Sequence, residues 1–111
     1  MEPMIIKRKN EDLMLYAYKC LGQFPKSERH VLAADIRQGL YAVDSLIIRA
    51  QKKYFKKTTL QDLDVEVELL KTKIRLAKEL GFLPFKKYEN LEKMLIEIGK
   101  MVGGWIKKAG P

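Results

Sequence analysis

The sequence predicts an all-α fold, an antiparallel four-helix bundle, on three observations. Apolar residues recur at steps of three and four through four segments, at about residues 10–22, 27–55, 59–80 and 84–108, which is the spacing of one helix face. Short stretches with Gly, Pro or Thr separate the segments, and no alternating pattern of useful length indicates a strand. The chain of 111 residues suffices for one compact domain. We therefore expect a single domain, 1–111, with short connections between antiparallel helices.

The first two predicted helices differ in length. The first begins at a cap, Asn10 or Asp12, and stops at Gly22, because Gly tolerates the left-handed backbone that ends many helices. Ser27 is the expected N-cap of the second helix, which would be roughly 40 Å long at about 1.5 Å per residue. Its apolar seam continues to Tyr54, so we expect that ring to be buried. The apolar residues are Leu13, Ala17, Cys20 and Leu21 in the first helix, and Ile36, Leu40, Val43, Ile47, Ala50 and Tyr54 in the second.

The third and fourth helices also carry one apolar seam each. Thr59, followed three residues later by Asp62, is a typical capping pair, and Pro84 suits the first turn of a helix, where a missing N–H has no cost. Their seams are Leu60, Leu63, Val67, Leu70, Ile74 and Ala77, and Tyr88, Leu91, Leu95, Ile98, Val102 and Trp105.

The charge balance is strongly basic. Lys and Arg number 22 against 14 for Asp and Glu, which gives a net charge of +8. The usual partner of such a chain is a polyanion, either nucleic acid or an anionic membrane surface; ordinary solubilising charge is the alternative. No apolar run is long enough for a spanning helix, and we expect no membrane partner.

Two groups of basic residues fall on single helix faces. Lys71, Arg75 and Lys78 lie on neighbouring turns of the third helix. On the fourth helix, lysines recur every seven residues opposite the apolar seam, and they predict an outward basic stripe. These lysines are Lys86, Lys93, Lys100 and Lys107. Both groups are candidates for nucleic-acid binding, with a plain solvated surface as the alternative.

The densest basic cluster lies between the second and third helices. It consists of Lys52, Lys53, Lys56 and Lys57 around Tyr54 and Phe55. Basic residues interleaved with aromatic rings suit phosphates and stacked bases. Because Tyr54 continues the apolar seam, we expect at least that ring to be buried, which makes stacking a weak hypothesis.

Glycines inside the fourth helix predict close packing. Gly99 and Gly103 are four residues apart, on one face, where a missing side chain lets another helix, subunit or nucleic-acid strand approach. Fraying at Gly103 and Gly104 is the alternative, but Trp105 continues the apolar rhythm beyond them. Gly99, Gly103 and Trp105 are therefore the expected packing residues of this helix.

The residue inventory argues against an enzyme. The chain has one Cys and one His, Cys20 and His30, and no CxxC, HExxH or GxxxxGK[ST] motif. Ser27 is better explained as a cap than as a nucleophile. We expect no catalytic residue, no metal and no cofactor. The single Cys and the absence of a secretory signal predict a cytoplasmic protein.

Three segments resemble a known family. FPKSERHVLAADIR at 24–37, KTKIRLAKELGFL at 71–83 and above all EIGKMVGGWIKK at 97–108 resemble the accessory variability determinant proteins of diversity-generating retroelements. The order, spacing and length agree over nearly the whole chain. The first segment is shared with the related four-helix proteins encoded by intervening sequences in bacterial 23S rRNA genes.

The resemblance implies a function and an assembly. Members of the family are four-helix protomers of a pentameric barrel with a basic surface, and they are not enzymes. They associate with the retroelement's reverse transcriptase and with its template RNA, supporting mutagenic complementary DNA synthesis. The family's functional basic residues correspond to Lys71, Arg75 and Lys100. Lys71 and Lys100 are lysines at positions where Arg can occur. A lysine keeps the positive charge but cannot make the paired hydrogen bonds to one phosphate that an arginine makes.

The expected function is therefore a non-enzymatic accessory that binds reverse transcriptase and RNA or DNA. The alternative is a four-helix scaffold of the 23S intervening-sequence type, with an unknown partner.

Overall fold

The computed structural model describes residues 3–110, with side chains from Ile5 onward, and this part of the chain contains four α-helices and no strand. The helices are α1, Pro3–Leu21; α2, Leu32–Lys52; α3, Lys57–Glu79; and α4, Phe85–Ala109. A short 3-10 helix, Lys26–Glu28, precedes α2. The ends of the predicted domain, residues 1, 2 and 111, lie outside the described residues.

The helices form a closed ring of neighbours. Each packs against the next one along the chain, and α1 packs against α4, whereas the diagonal pairs have no Cα atoms within 8 Å of each other in residues 3–110. The described chain measures 43 × 24 × 19 Å. This arrangement confirms the predicted all-helical, four-helix architecture. It also places the α2–α3 turn and the end of α4 at one end of the bundle, and the other two connections at the opposite end.

The core consists of the predicted seams. All of their residues are buried except Tyr54, which is exposed, and Tyr88, which is half-buried. Gly39 brings α2 close to α3, because a Cβ at this position would lie 3.0 Å from Leu70 Cδ1. The apolar periodicity therefore corresponds to the actual packing surface of each helix.

The first helix begins at Pro3, earlier than the predicted start near residue 10. Ile6 is fully buried and extends the apolar stripe by about two turns from Leu13. Asn10 is consequently an interior residue of α1 and not a cap. Its side chain is buried and donates from Nδ2 to Asp44 Oδ1 at 3.4 Å, which links α1 to α2.

The predicted cap of the second helix is wrong. Ser27 lies in the 3-10 helix, and α2 begins only at Leu32. The helix start is held by Glu28, whose Oε1 accepts a hydrogen bond from the Leu32 backbone N–H at 3.3 Å. A side chain four residues before the first helical position therefore satisfies a free backbone donor.

The predicted end of α2 is also wrong, with a larger consequence. Lys53 is extended, with φ −83° and ψ 144°, so the helix ends at Lys52. The chain leaves the helix before the seam would reach Tyr54, and the tyrosine is almost fully exposed. The prediction of a buried Tyr54 therefore fails.

The remaining boundaries are close to their predicted positions. The third helix begins at Lys57, and Thr59 is buried inside its first turn rather than at the cap. Gly81 has φ +82° just beyond the end of α3, a left-handed backbone that favours glycine. Pro84 directly precedes α4.

Candidate nucleic-acid interface

The predicted basic residues of α3 lie beside α4, but in different environments. Lys71 is half-buried, and its Nζ lies 3.5 Å from the position that a Cβ of Gly99 would take. The Lys71 side chain therefore reaches across the helix contact to Gly99, where a Cβ would make an ordinary van der Waals contact with it. Lys100 follows Gly99 on α4 and is exposed, and its side chain points about 100° around the helix from the Gly99 position.

Arg75 and Lys78 differ in whether they already contact other side chains of the protein. Arg75 is exposed and forms no ion pair within the described residues. Lys78 lies with Nζ 4.9 Å from the Tyr88 ring centroid and 3.3 Å from Glu79 Oε1, a cation–π and ion-pair geometry. A hydrogen bond with Glu92, together with burial, raises the pKa of Tyr88. Arg75 is therefore freer than Lys78 to meet an external anion.

The predicted stripe on α4 is exposed along its length. Lys93, Lys100 and Lys107 are exposed and make no ion pair within residues 3–110, whereas Lys86 lies 3.4 Å from Glu89 Oε1. From first to last the stripe spans roughly 30 Å at about 1.5 Å per residue. Its unpaired ammonium groups can meet a long polyanion.

The other two packing residues of α4 have different surroundings. Trp105 is 6% exposed and belongs to the core. Gly103 is exposed, and a Cβ there would meet no atom within 4 Å among the described residues. Any close packing at Gly103 would therefore be with another molecule.

One end of the bundle collects lysines that the helix-face reasoning did not group together. We call this cluster the basic pole: Lys52, Lys53, Lys56, Lys57, Lys107 and Lys108. No acidic residue occurs between Asp44 and Asp62, or after Glu97. The basic pole could have been predicted from the antiparallel order of the helices, because that order places the α2–α3 turn and the end of α4 at the same end of the bundle.

A separate surface on the α2 side of α3 is apolar. Leu69 is 45% exposed and lies about 200° around the helix from Lys71. It belongs to an exposed row formed by Val65, Leu69, Leu76 and Leu80. The α2 side of α3 thus presents a row of apolar side chains next to Asp62 and Glu66, while its α4 side presents basic ones.

The described residues offer little for chemistry. They contain no group of three or more His, Cys, Asp or Glu side chains that could hold a metal ion. Cys20 is buried, and burial raises the pKa of its thiol, which disfavours the reactive thiolate. His30 is exposed. No helix in residues 3–110 is long and apolar enough to cross a membrane.

The fold and its surface define a small, basic four-helix protein with candidate polyanion-binding faces. A family model described as bAvd-like matches residues 4–109. The chain therefore belongs to the bAvd-like family, which confirms the resemblance to accessory variability determinant proteins. No match to a curated protein was found.

Proposed function

We propose that the protein is a non-enzymatic accessory of a diversity-generating retroelement, binding its reverse transcriptase and its template RNA or DNA copy. The observation that carries the proposal is the family match over residues 4–109. The exposed, unpaired basic groups of α3 and α4 support it, because phosphates bind such groups electrostatically. The cytoplasm is the compartment that this proposal expects.

The primary contact surface in this proposal is the α3–α4 side of the bundle. Lys71, Arg75 and Lys100 contact phosphates or an acidic surface of the polymerase. Lys93 and Lys107 extend the same surface along α4, and Lys78 contributes less because Tyr88 and Glu79 already hold it. Contacts to backbone phosphates fix the position of a nucleic acid and carry no sequence information directly.

Self-association is part of the proposal. The apolar row on α3 and the open Gly103 position support contacts between protomers, because an exposed apolar row is a common interface feature. A homopentamer of chains with net charge +8 would carry about +40 and generate a far stronger field than one protomer.

The test is co-purification with the reverse transcriptase of the retroelement. Tagged wild-type protein is co-expressed with the polymerase and the template RNA, beside the triple variant Lys71→Ala, Arg75→Ala and Lys100→Ala. A control with the same charge change near the α1–α2 connection is Lys19→Ala, Lys26→Ala and Arg29→Ala. We expect the wild type and the control to retain the polymerase, and the triple variant to lose it.

Two outcomes would contradict the proposal. If the wild-type protein fails to retain the polymerase, the scaffold alternative, a four-helix protein of the 23S intervening-sequence type, is favoured. If the triple variant retains it as well as the wild type does, the assigned residues are wrong. Light scattering on the same samples tests the pentamer, and a monomer at every concentration would remove it.

A further inference from the structure

The turn between α2 and α3 presents two aromatic rings to solvent. Tyr54 is 88% exposed and Phe55 is 85% exposed. The rings pack edge to face, with centroids 4.8 Å apart and an interplanar angle of 90°. This arrangement leaves ring faces open to a ligand while the two side chains support each other.

Hydrogen bonds from lysines fix this turn. Lys56 Nζ donates to the Ala50 carbonyl at 2.7 Å and also to the Lys53 carbonyl. Lys53 Nζ donates to Thr59 Oγ1 at 3.2 Å. Lys56 thus occupies acceptors at the end of α2, and Lys53 joins the turn to α3. The turn is held by these hydrogen bonds rather than by burial of its rings, so the rings project from a fixed support.

Free positive charge surrounds the rings. Lys52 and Lys57 are exposed and form no ion pair within the part of the chain that the structure describes. The rings share a surface recess of about 380 Å³ with Lys56, Lys57 and the end of α4 at Ala109 and Gly110. The last turn of α4, directly before this recess, adds Lys107 and Lys108.

We propose that the basic pole, with Tyr54 and Phe55, is a second binding site, specific for unpaired nucleotides of single-stranded RNA or DNA. The rings stack on bases, and Lys52, Lys57 and Lys107 contact the flanking phosphates. In a duplex the base faces are stacked on each other and are not accessible to the rings, whereas a single strand exposes base faces. Lysines without acidic partners favour a polyanion over an ordinary protein surface.

This inference rests on the proposed function in taking nucleic acid as the partner, but its site is centred on the α2–α3 turn and shares only Lys107 with the α3–α4 surface. The two sites bind different parts of a nucleic acid. Phosphate contacts on α3 and α4 serve duplex and single strand alike, because both carry charged phosphates. Ring stacking serves the single strand alone. The basic pole would therefore hold the unpaired part of a template while the α3–α4 surface contacts its backbone.

The test is the affinity of the full-length protein for a short fluorescein-labelled single-stranded RNA and for its duplex, measured by anisotropy. The double variant Tyr54→Ala and Phe55→Ala should bind the single strand roughly tenfold more weakly or worse, which is the usual effect of removing base–aromatic stacking. Its duplex affinity should stay at the wild-type value. Because both rings are exposed, circular dichroism should show an unchanged fold.

Matched variants isolate stacking as the cause. The conservative pair Tyr54→Phe and Phe55→Tyr keeps both rings and should restore wild-type affinity. Phe85→Ala removes a ring that is 65% exposed at the other end of the bundle and should leave the affinity unchanged. A 2-aminopurine in the single strand should be quenched by the wild type but not by the double variant.

The outcomes separate this inference from the proposed function. Equal single-strand affinity of the wild type and the double variant overturns the inference. A double variant that loses binding to anionic lipid vesicles but keeps its affinity for the single strand also overturns it. If the double variant weakens single-strand binding while Lys71→Ala, Arg75→Ala and Lys100→Ala together have no effect, the inference stands and the α3–α4 assignment fails. Wild-type protein that binds neither RNA overturns both.

Discussion

The two ends of the bundle each carry an aromatic pair, and the pairs have opposite environments. At one end, Phe24 and Phe82 pack with ring centroids 5.8 Å apart, and Phe24 is only 8% exposed. At the other end, Tyr54 and Phe55 are almost fully exposed. We call these the closed end and the open end.

The difference lies in the connections. At the closed end, the chain from Leu21 to Leu32 and the shorter segment from Glu79 to Phe85 fold over the core, bringing Phe24, Phe82 and Leu83 onto it. At the open end, one turn of four residues joins Lys52 to Lys57, and such a turn is too short to fold back over the helix ends. Aromatic residues stabilise the fold at the closed end, while those at the open end remain free to meet a ligand.

The largest expected effect is on the free energy of unfolding at the closed end. Phe24→Ala should lower it by about 3 kcal/mol, because a buried ring is removed and a cavity remains. Phe55→Ala should change it by less than about 0.5 kcal/mol, as an exposed substitution does. Chemical denaturation checks both variants, and similar decreases at the two ends would contradict the contrast.

Cys20 provides a second readout of the closed end. It lines a small cavity with Phe24, Ile36 and Leu83, and burial raises the pKa of its thiol. Alkylation should therefore be slow at neutral pH and rise with pH as the thiolate forms. Phe24→Ala should accelerate it severalfold, whereas the double variant Tyr54→Ala and Phe55→Ala should not. Equal acceleration by both variants would show that the two ends are not independent.

A smaller effect is expected where Lys56 supports the open end. Lys56→Met removes the charged donor to the Ala50 carbonyl at the C-terminus of α2, which should cost about 1 kcal/mol of stability. If the turn positions the rings, this variant should also weaken single-strand RNA binding beyond the effect of removing one charge. The control is Lys108→Met, which removes an equal charge from the basic pole at an exposed lysine that makes no ion pair in the described residues. Identical RNA affinities of the two variants would show that Lys56 does not position the rings.

The smallest expected effect is at the start of α2. Glu28→Gln keeps an oxygen that can accept from the Leu32 N–H but removes the negative charge near the helix N-terminus. The expected cost is about 0.5 kcal/mol. Thermal unfolding at low and high salt checks it, because screening should reduce the difference between wild type and variant. A salt-independent difference would indicate a packing effect instead.

The helices and their buried faces could be predicted from the sequence. Residues such as Leu40, Val43 and Ile47 follow the helical period because they pack against neighbouring helices along their whole length. The stripe on α4 was visible for the same reason, since an exposed face has the same period as a buried one.

The helix ends were less predictable, because contacts from elsewhere decide them. Asn10 is a residue type that commonly caps helices, yet the buried Ile6 carries α1 past it. Tyr54 continues a regular seam, yet Lys56 binds the carbonyl of Ala50 and the chain turns away. The basic pole joins residues near 52–57 to Lys107 and Lys108, which are far apart in sequence, so only the topology brings them together.

The proposed binding of nucleic-acid phosphates by Lys71, Arg75 and Lys100 is tested most directly by the salt dependence of RNA affinity. The proteins compared are the wild type, the triple alanine variant at these positions, and the control variant at Lys19, Lys26 and Arg29. We predict that the slope of log affinity against log salt falls by about 0.7 for each phosphate that the triple variant no longer neutralises, and stays at the wild-type value in the control. Equal slopes in all three proteins would contradict the assignment.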